Sequence, residues 1–298
     1  MPAPLRAREP SHPIQSQCPL PPSGTQNTSA KRPPLGFAAM TLVHHRGGSG
    51  EPLVLIHGIG SRWQVWNPVL PYLEPERDVI ALDLPGFGAS EMAPHDQPPG
   101  LETLTNSVIG LLDELGLEQP HVAGNSLGGW LSLELAKRGR ARSATCLSPA
   151  GFWTGGEGVL SRVSLFVARR AARLALPYAD WLTATPLRRK LAFSQLVAHP
   201  ERMPATDAAL HLRGLAEAPS FDETLIAMIG TRFRHGEQLD VPVTIAWAEL
   251  DRLLPPRQAL WAAHLIPSAR SAMLYDCGHV PTYDDPEQVA RVLLESSA

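Results

Sequence analysis

The stretch His121-Val122-Ala123-Gly124-Asn125-Ser126-Leu127-Gly128-Gly129-Trp130 decides how this chain is read. It passes from a short apolar run into Gly-x-Ser-x-Gly and then into a helix-like run, Trp130-Leu131-Ser132-Leu133-Glu134-Leu135-Ala136-Lys137. A serine on a sharp turn from strand to helix has a strained backbone and an exposed Oγ. Side chains two residues before and after it would clash across the turn, so both positions call for glycine.

The sequence on either side alternates in the same sense. Pro52-Leu53-Val54-Leu55-Ile56-His57-Gly58 is a continuous apolar run ending in glycine, as strands buried on both faces read. Asp78-Val79-Ile80-Ala81-Leu82-Asp83 is a second such run, stopped by Leu84-Pro85-Gly86-Phe87-Gly88. Leu104, Val108, Leu111, Leu112 and Leu115 have helical spacing, and Ala144-Thr145-Cys146-Leu147-Ser148 follows as a strand. After a gap the pattern resumes at Val241-Pro242-Val243-Thr244-Ile245-Ala246-Trp247, with a helix near 258–265, a strand at 271–275 and a last helix at 286–295. Strands alternating with helices predict an α/β fold with a mostly parallel central sheet flanked by helices.

The gap, roughly residues 152–237, holds helical patterns and no convincing strand. Within it Leu160, Val163, Val167, Ala171 and Leu174 share one helical face, with Arg162, Arg169 and Arg173 opposite. The expected arrangement is a helix lying over the sheet on its apolar face with its arginines in water; contact with a membrane surface or an acidic partner is the alternative. Residues 1–36, rich in Pro, Ser, Gln and Thr, read as a disordered tail. Met40 is a candidate start of the natural protein.

At 298 residues, with 44% hydrophobic and 18% charged residues, the chain has an ordinary globular composition and room for one large core with an insertion or for two small domains. A net charge of -3 offers no basic field for nucleic acid. Cys18, Cys146 and Cys277 have neither disulfide nor metal-ligand spacing, and no apolar run reaches the length of a membrane span. A cytoplasmic protein without stable membrane insertion, metal or organic cofactor is the expectation.

In an open parallel sheet, ligands collect beyond the carboxyl ends of the strands. His57-Gly58-Ile59-Gly60, Ser126, Asp251 and His279 all fall at such ends. A serine hydroxyl needs a base to take its proton, and the base needs a carboxylate to hold its tautomer. Ser126, Asp251 and His279 stand in the chain order that this triad takes on a doubly wound sheet. Glu249 is a second candidate carboxylate, while His57 and Asp83 read as ties within their loops.

Taken together, His57-Gly58-Ile59-Gly60, Leu82-Asp83-Leu84-Pro85-Gly86-Phe87-Gly88-Ala89-Ser90, Gly124-Asn125-Ser126-Leu127-Gly128-Gly129, Asp251 with Pro255, and Gly278-His279-Val280-Pro281 resemble the alpha/beta-hydrolase family. The resemblance implies a helical cap inserted after the sixth strand. It divides the chain into residues 37–151 and 238–298 as two parts of one core, with 152–237 as the cap. Strands three to eight of the family plan are visible; for the first two the only candidate is residues 41–45. The resemblance further implies Ser126 as nucleophile, His279 as base then acid, Asp251 as orienting carboxylate, and the backbone N–H groups of Ile59 and Leu127 as the oxyanion hole.

The expected function is a carboxylesterase acting on a small-molecule acyl substrate of small or medium size. Trp153, Phe166, Trp181, Phe193 and Phe221 would roof its pocket, or serve as plain core of the cap, the commoner use of such rings. Epoxide hydrolases and haloalkane dehalogenases of this fold carry aspartate where this chain has Ser126. Two alternatives stay open. Asn125 makes the elbow resemble carbon–carbon hydrolases of meta-cleavage products, although the loop after His57 lacks their usual Gly-Pro-Gly-Ala type of sequence. A ligand-binding receptor on the same fold is the other.

Overall fold

A computed structural model of the chain describes residues 41–94 and 96–298. The expectations of a tail at 1–36 and of a start at Met40 lie outside the described residues. Among the described residues seven strands form one sheet: β1 (His44–Gly48), β2 (Glu51–Ile56), β3 (Arg77–Leu82), β4 (His121–Asn125), β5 (Ser143–Leu147), β6 (Val243–Ala248) and β7 (Arg270–Leu274). Their spatial order is β1-β3-β2-β4-β5-β6-β7. Only β1 runs antiparallel to its neighbour. The strand that leads into Ser126 is therefore the middle one, and every residue of β4, β5 and β6 is buried.

Helices cover both faces of the sheet, which is why these strands read as unbroken apolar runs. The helices are α1 (Leu70–Leu73), α2 (Leu101–Glu114), α3 (Leu127–Lys137), α4 (Glu157–Ala175), α5 (Ala179–Thr183), α6 (Pro186–Phe193), α7 (Ala205–Glu217), α8 (Phe221–Ala227), α9 (Gln258–Leu265) and α10 (Pro286–Ser296). Side chains alternate along each strand. Val54, Ile56, Val122 and Ile245 meet Leu104 and Val108 of α2, Trp130 and Leu131 of α3 and Ala262 of α9 on one face. Leu53, Leu55, Ala123 and Ala246 meet Leu70 and Leu73 of α1 and Val289 and Leu293 of α10 on the other.

The first strand begins three residues later than the sequence suggests, at His44 rather than Thr41. It is held by pairing with β3, from His44 opposite Leu82 to Gly48 opposite Asp78. Its last two residues are glycines, which carry no hydropathy signal. Gly48, at φ +82°, passes so close beneath β3 that a Cβ there would lie 2.2 Å from the Arg77 carbonyl oxygen.

Helices α4 to α8 lie between β5 and β6, and residues 152–237 contain no strand. The insertion follows the fifth of the seven strands, the sixth position of the family plan, because a single strand precedes β2. Helix α4 lies the other way round from the expectation. Leu160, Val163, Val167 and Leu174 are 70%, 54%, 58% and 80% exposed, whereas Arg169 is 2% exposed. The inward face carries Gly158, Ser161, Ala168 and Ala172, small enough for neighbouring structure to approach.

Arg169 turns inward, and half-buried Arg162 and exposed Arg173 reach back the same way, because helix ends wait for them. The last carbonyls of a helix have no partner within it. Arg169 donates to the carbonyls of Leu215 and Ala218, each at 2.8 Å, at the end of α7. Arg173 donates to the Ala216 carbonyl at 3.2 Å, and Arg162 to the Met228 carbonyl at 3.3 Å, just past α8. The Arg169 guanidinium also lies 4.6 Å from the Phe221 ring centroid and pairs with Asp222 at 3.1 Å. Polar satisfaction, rather than apolar area, sets the orientation of this helix.

Candidate active site

Ser126 sits between β4 and α3 with φ +57° and ψ -114°, a conformation that non-glycine residues rarely adopt. The turn is tight enough that a Cβ on Gly124 would fall 2.2 Å from the Gly128 carbonyl carbon. A Cβ on Gly128 would fall 2.0 Å from the Ile56 carbonyl oxygen. Both glycines of the motif are thus required by backbone approach. The Ser126 amide donates to the Leu147 carbonyl at 3.0 Å, tying the elbow to β5.

His279 and Asp251 come together from separate loops beyond β7 and β6. His279 Nδ1–H donates to Asp251 Oδ2 at 2.7 Å, with both side chains buried. Asp251 Oδ1 accepts the amides of Leu253 and Leu254 at 2.9 and 2.7 Å, so the carboxylate is aimed by backbone. Because a carboxylate only accepts, the neutral imidazole keeps its lone pair on Nε2. Glu249, the other candidate, is exposed and accepts the Asp276 amide at 3.0 Å.

Two residues that the sequence does not single out for this purpose hold the His279 loop. Asn125 Nδ2 donates to the His279 carbonyl at 2.8 Å and to the Leu147 carbonyl at 3.1 Å, joining the elbow to that loop. Asp284 accepts the amides of Gly278, Ala198 and His199 at 2.8, 3.0 and 2.7 Å. Burial raises its carboxyl above the ordinary range, against these three donors. The signal for Asp284 was one of two adjacent acids shortly after His279, indistinguishable in sequence from a surface aspartate.

Ser126, His279, Asn125, Gly58 and Ile59 share the wall of a cavity of about 460 Å³. Leu127 contributes no side chain to it: that side chain is buried in the core, and its amide, at the first position of α3, has no acceptor in its own helix. Ala168, Ala171, Ala172 and Ala175 of α4, with Leu182, Leu191 and Leu212, line the far side. Of the five aromatics of the insertion weighed as roof or cap core, Phe193 alone lines the cavity. Trp153 packs edge-on to Trp130 with centroids 5.7 Å apart, Phe221 is buried under Arg169, and Phe166 and Trp181 are 51% and 59% exposed. From α4 the cavity receives these alanines and Leu165, and no ring.

The model of the alpha/beta hydrolase family matches residues 53–292.

The chain is a member of the alpha/beta hydrolase family.

Its relatives in that family differ in reaction. It is 32% identical over 197 residues, 64% of this chain and 91% of the relative, to the epoxide hydrolase EphH of Mycobacterium tuberculosis. It is 40% identical over 112 residues to a 2-hydroxymuconate semialdehyde hydrolase of a Pseudomonas species, covering 36% of this chain and 39% of the relative. Among solved structures, the enol-lactonase of Burkholderia xenovorans superposes with a TM-score of 0.70 at 22% identity, covering 87% and 98% of the two chains. That likeness is one of fold.

Other polar groups of this family member are occupied by its own loops. His57 Nε2 accepts the Leu84 amide at 3.0 Å, so its Nδ1–H donates to the Gly58 carbonyl at 2.7 Å. Burial lowers the His57 pKa and keeps the ring neutral. Asp83 accepts the Trp63 and Ala89 amides at 2.7 and 2.8 Å. Both are the loop ties that the sequence suggests. Burial pushes the Cys277 thiol up to about 12, which makes it a poor nucleophile. Cys146 is likewise buried and free. Among the described residues no group of His, Cys, Asp and Glu could hold a metal, and no helix is long and apolar enough to cross a membrane.

The cavity holds a further polar group. His211, on α7, lines it and meets the Tyr283 hydroxyl at 3.2 Å through Nε2. That hydroxyl donates to Asp207 at 3.2 Å, so His211 Nε2 is the donor and Nδ1 keeps the lone pair. Burial, with Arg62 and His57 nearby, pushes the His211 pKa down to about 4. No motif marks the residue; it is one histidine among eleven.

Proposed function

We propose that the chain is a serine hydrolase that cleaves esters of small or medium apolar acyl groups through an acyl-enzyme. The observation that carries this reading is the strained Ser126 facing the same cavity as a His279 held by Asp251 at 2.7 Å. His279 Nε2 takes the proton from Ser126 Oγ as the oxygen attacks the ester carbonyl. The carbonyl oxygen becomes an anion accepted by the Ile59 and Leu127 amides, at the positive end of α3. His279 then gives its proton to the leaving alcohol. Water, deprotonated by the same nitrogen, attacks the acyl-enzyme and frees the acid and Ser126. The alanine and leucine lining favours an unbranched apolar acyl chain.

The experiment is labelling with a fluorophosphonate, followed by p-nitrophenyl esters of increasing chain length. Labelling of Ser126 with ester turnover is expected. A folded protein whose Ser126 stays unlabelled would point to the receptor reading. A chromogenic ring-cleavage product assayed beside the esters tests the carbon–carbon alternative. Both hydrogens of the Asn125 amide are spent on the carbonyls of His279 and Leu147. The residue that suggested that alternative therefore has its own task in the loop, whichever bond is cleaved.

A further inference from the structure

The apolar face of α4 that the fold leaves in water does not stand alone. On α4, Leu160, Phe166 and Val167 are 70%, 51% and 58% exposed. On the following helices Trp181, Leu187 and Leu191 are 59%, 67% and 76% exposed. Solvent exposure on this scale, on consecutive elements, is uncommon for a protein surface facing only water.

The two groups of residues flank one opening. Ala171 of α4 and Leu191 of α6 both line the cavity that holds Ser126, and both are exposed, so they mark its mouth. Gln195, just beyond α6, donates to Ser164 in the middle of α4 and holds the two rims together.

Charge on this segment is opposite to that of the whole chain. Residues 157–193 contain seven basic and two acidic side chains in a protein of net charge -3. Of the seven, only Arg169 and Arg189 are buried. Two of the others stand against exposed rings: Arg188 lies 3.9 Å from the Trp181 ring centroid, and Arg170 lies 5.9 Å from that of Phe166. Rings and aliphatic side chains interleaved with arginine suit the boundary between acyl chains and phosphate headgroups. A second copy of the chain would bring the same cations against themselves.

We propose that this face of the cap docks on an anionic phospholipid bilayer, with the mouth of the cavity against the lipid. Apolar side chains of α4 and α6 enter the acyl-chain boundary while Arg170, Arg188 and Lys190 meet phosphates. The docking is independent of the reaction. That an acyl substrate then enters the cavity from the membrane rests on the proposed ester hydrolysis.

The test is flotation of the full chain with vesicles of phosphatidylcholine alone and of phosphatidylcholine with phosphatidylglycerol. Native protein and Ser126→Ala are expected to partition alike, at least about tenfold more strongly onto the anionic vesicles. The double variant Leu160→Glu with Phe166→Glu, both on the exposed surface and off the cavity wall, is expected to lose that binding at least about tenfold. It should keep its circular dichroism and its turnover of a soluble short-chain ester. Equal partition of native protein and double variant overturns the proposal. So does failure to float, or a dimer in light scattering that the double variant dissolves. Loss of all ester turnover in native protein with vesicle binding intact would overturn the proposed reaction and leave the docking standing.

Discussion

The floor and the roof of the cavity are held by opposite means. The floor is backbone geometry: a strained serine, two glycines that nothing larger can replace, and a carboxylate aimed by two amides. The roof is helices joined by side chains, above all arginines reaching the carbonyl ends of their neighbours. Where backbone approach decides, each position tolerates one residue type, and the motif is written in the sequence. Where side-chain reach decides, many sequences serve, and the pattern misleads.

The largest expected effect is on the floor. Ser126→Ala should lower ester turnover on the order of 10⁴-fold or more, measured with whichever p-nitrophenyl ester the native protein prefers. Retained turnover would show that the strained serine is not the nucleophile. Asp251→Asn keeps the shape but disturbs the tautomer of His279, and its kcat should fall by about 10³ to 10⁴. If Glu249→Gln had the larger effect, the carboxylate would have been misassigned.

On the roof, stability rather than rate is the expected casualty. Arg169→Ala leaves the Leu215 carbonyl without a donor and the Ala218 carbonyl with only the long bond from the Phe221 amide, and should cost about 2–4 kcal/mol in chemical denaturation. Leu160→Ser, on the face the pattern assigns to the core, should change stability by no more than about 0.5 kcal/mol. Reversal of that order would mean that α4 lies as its hydropathy suggests.

The smallest effect is one of pH. His211 titrates at about 4 in the folded chain and near 6.5 when unfolded. As pH falls from about 6.5 towards 4, the unfolded chain binds a proton that the folded chain refuses, so this residue's contribution is full above that window and lost through it. His211→Gln should therefore show a shallower fall of melting temperature between pH 7 and pH 5 than the native protein. A parallel fall would place the acid sensitivity elsewhere, with buried His57 the next candidate.

Much of the fold was legible because a sheet covered on both faces demands continuous apolar strands, and β2 to β6 supply them. The triad candidates were legible for a related reason. A serine nucleophile needs its glycines nearby in sequence, and the strand ends that carry Asp251 and His279 can be counted off. Residues that position this machinery left no trace of that kind. Asn125 and Asp284 act through carbonyls and amides of distant loops, and an asparagine or aspartate capable of this looks like any other.

Sequence by itself determined the order of strands and helices, the place of the turn at Ser126 and the candidates for the proposed chemistry. Periodicity and glycine spacing are local properties that survive being written in one dimension. Tertiary structure alone decided which face of α4 meets the protein, which residues line the cavity and what is left in water. Those outcomes depend on where the carbonyl ends of α7 and α8 fall, and on how closely a helix can approach the mouth of the cavity. The strained serine can be read from five residues; the arginines that hold the roof over it make sense only beside the helix ends they cap.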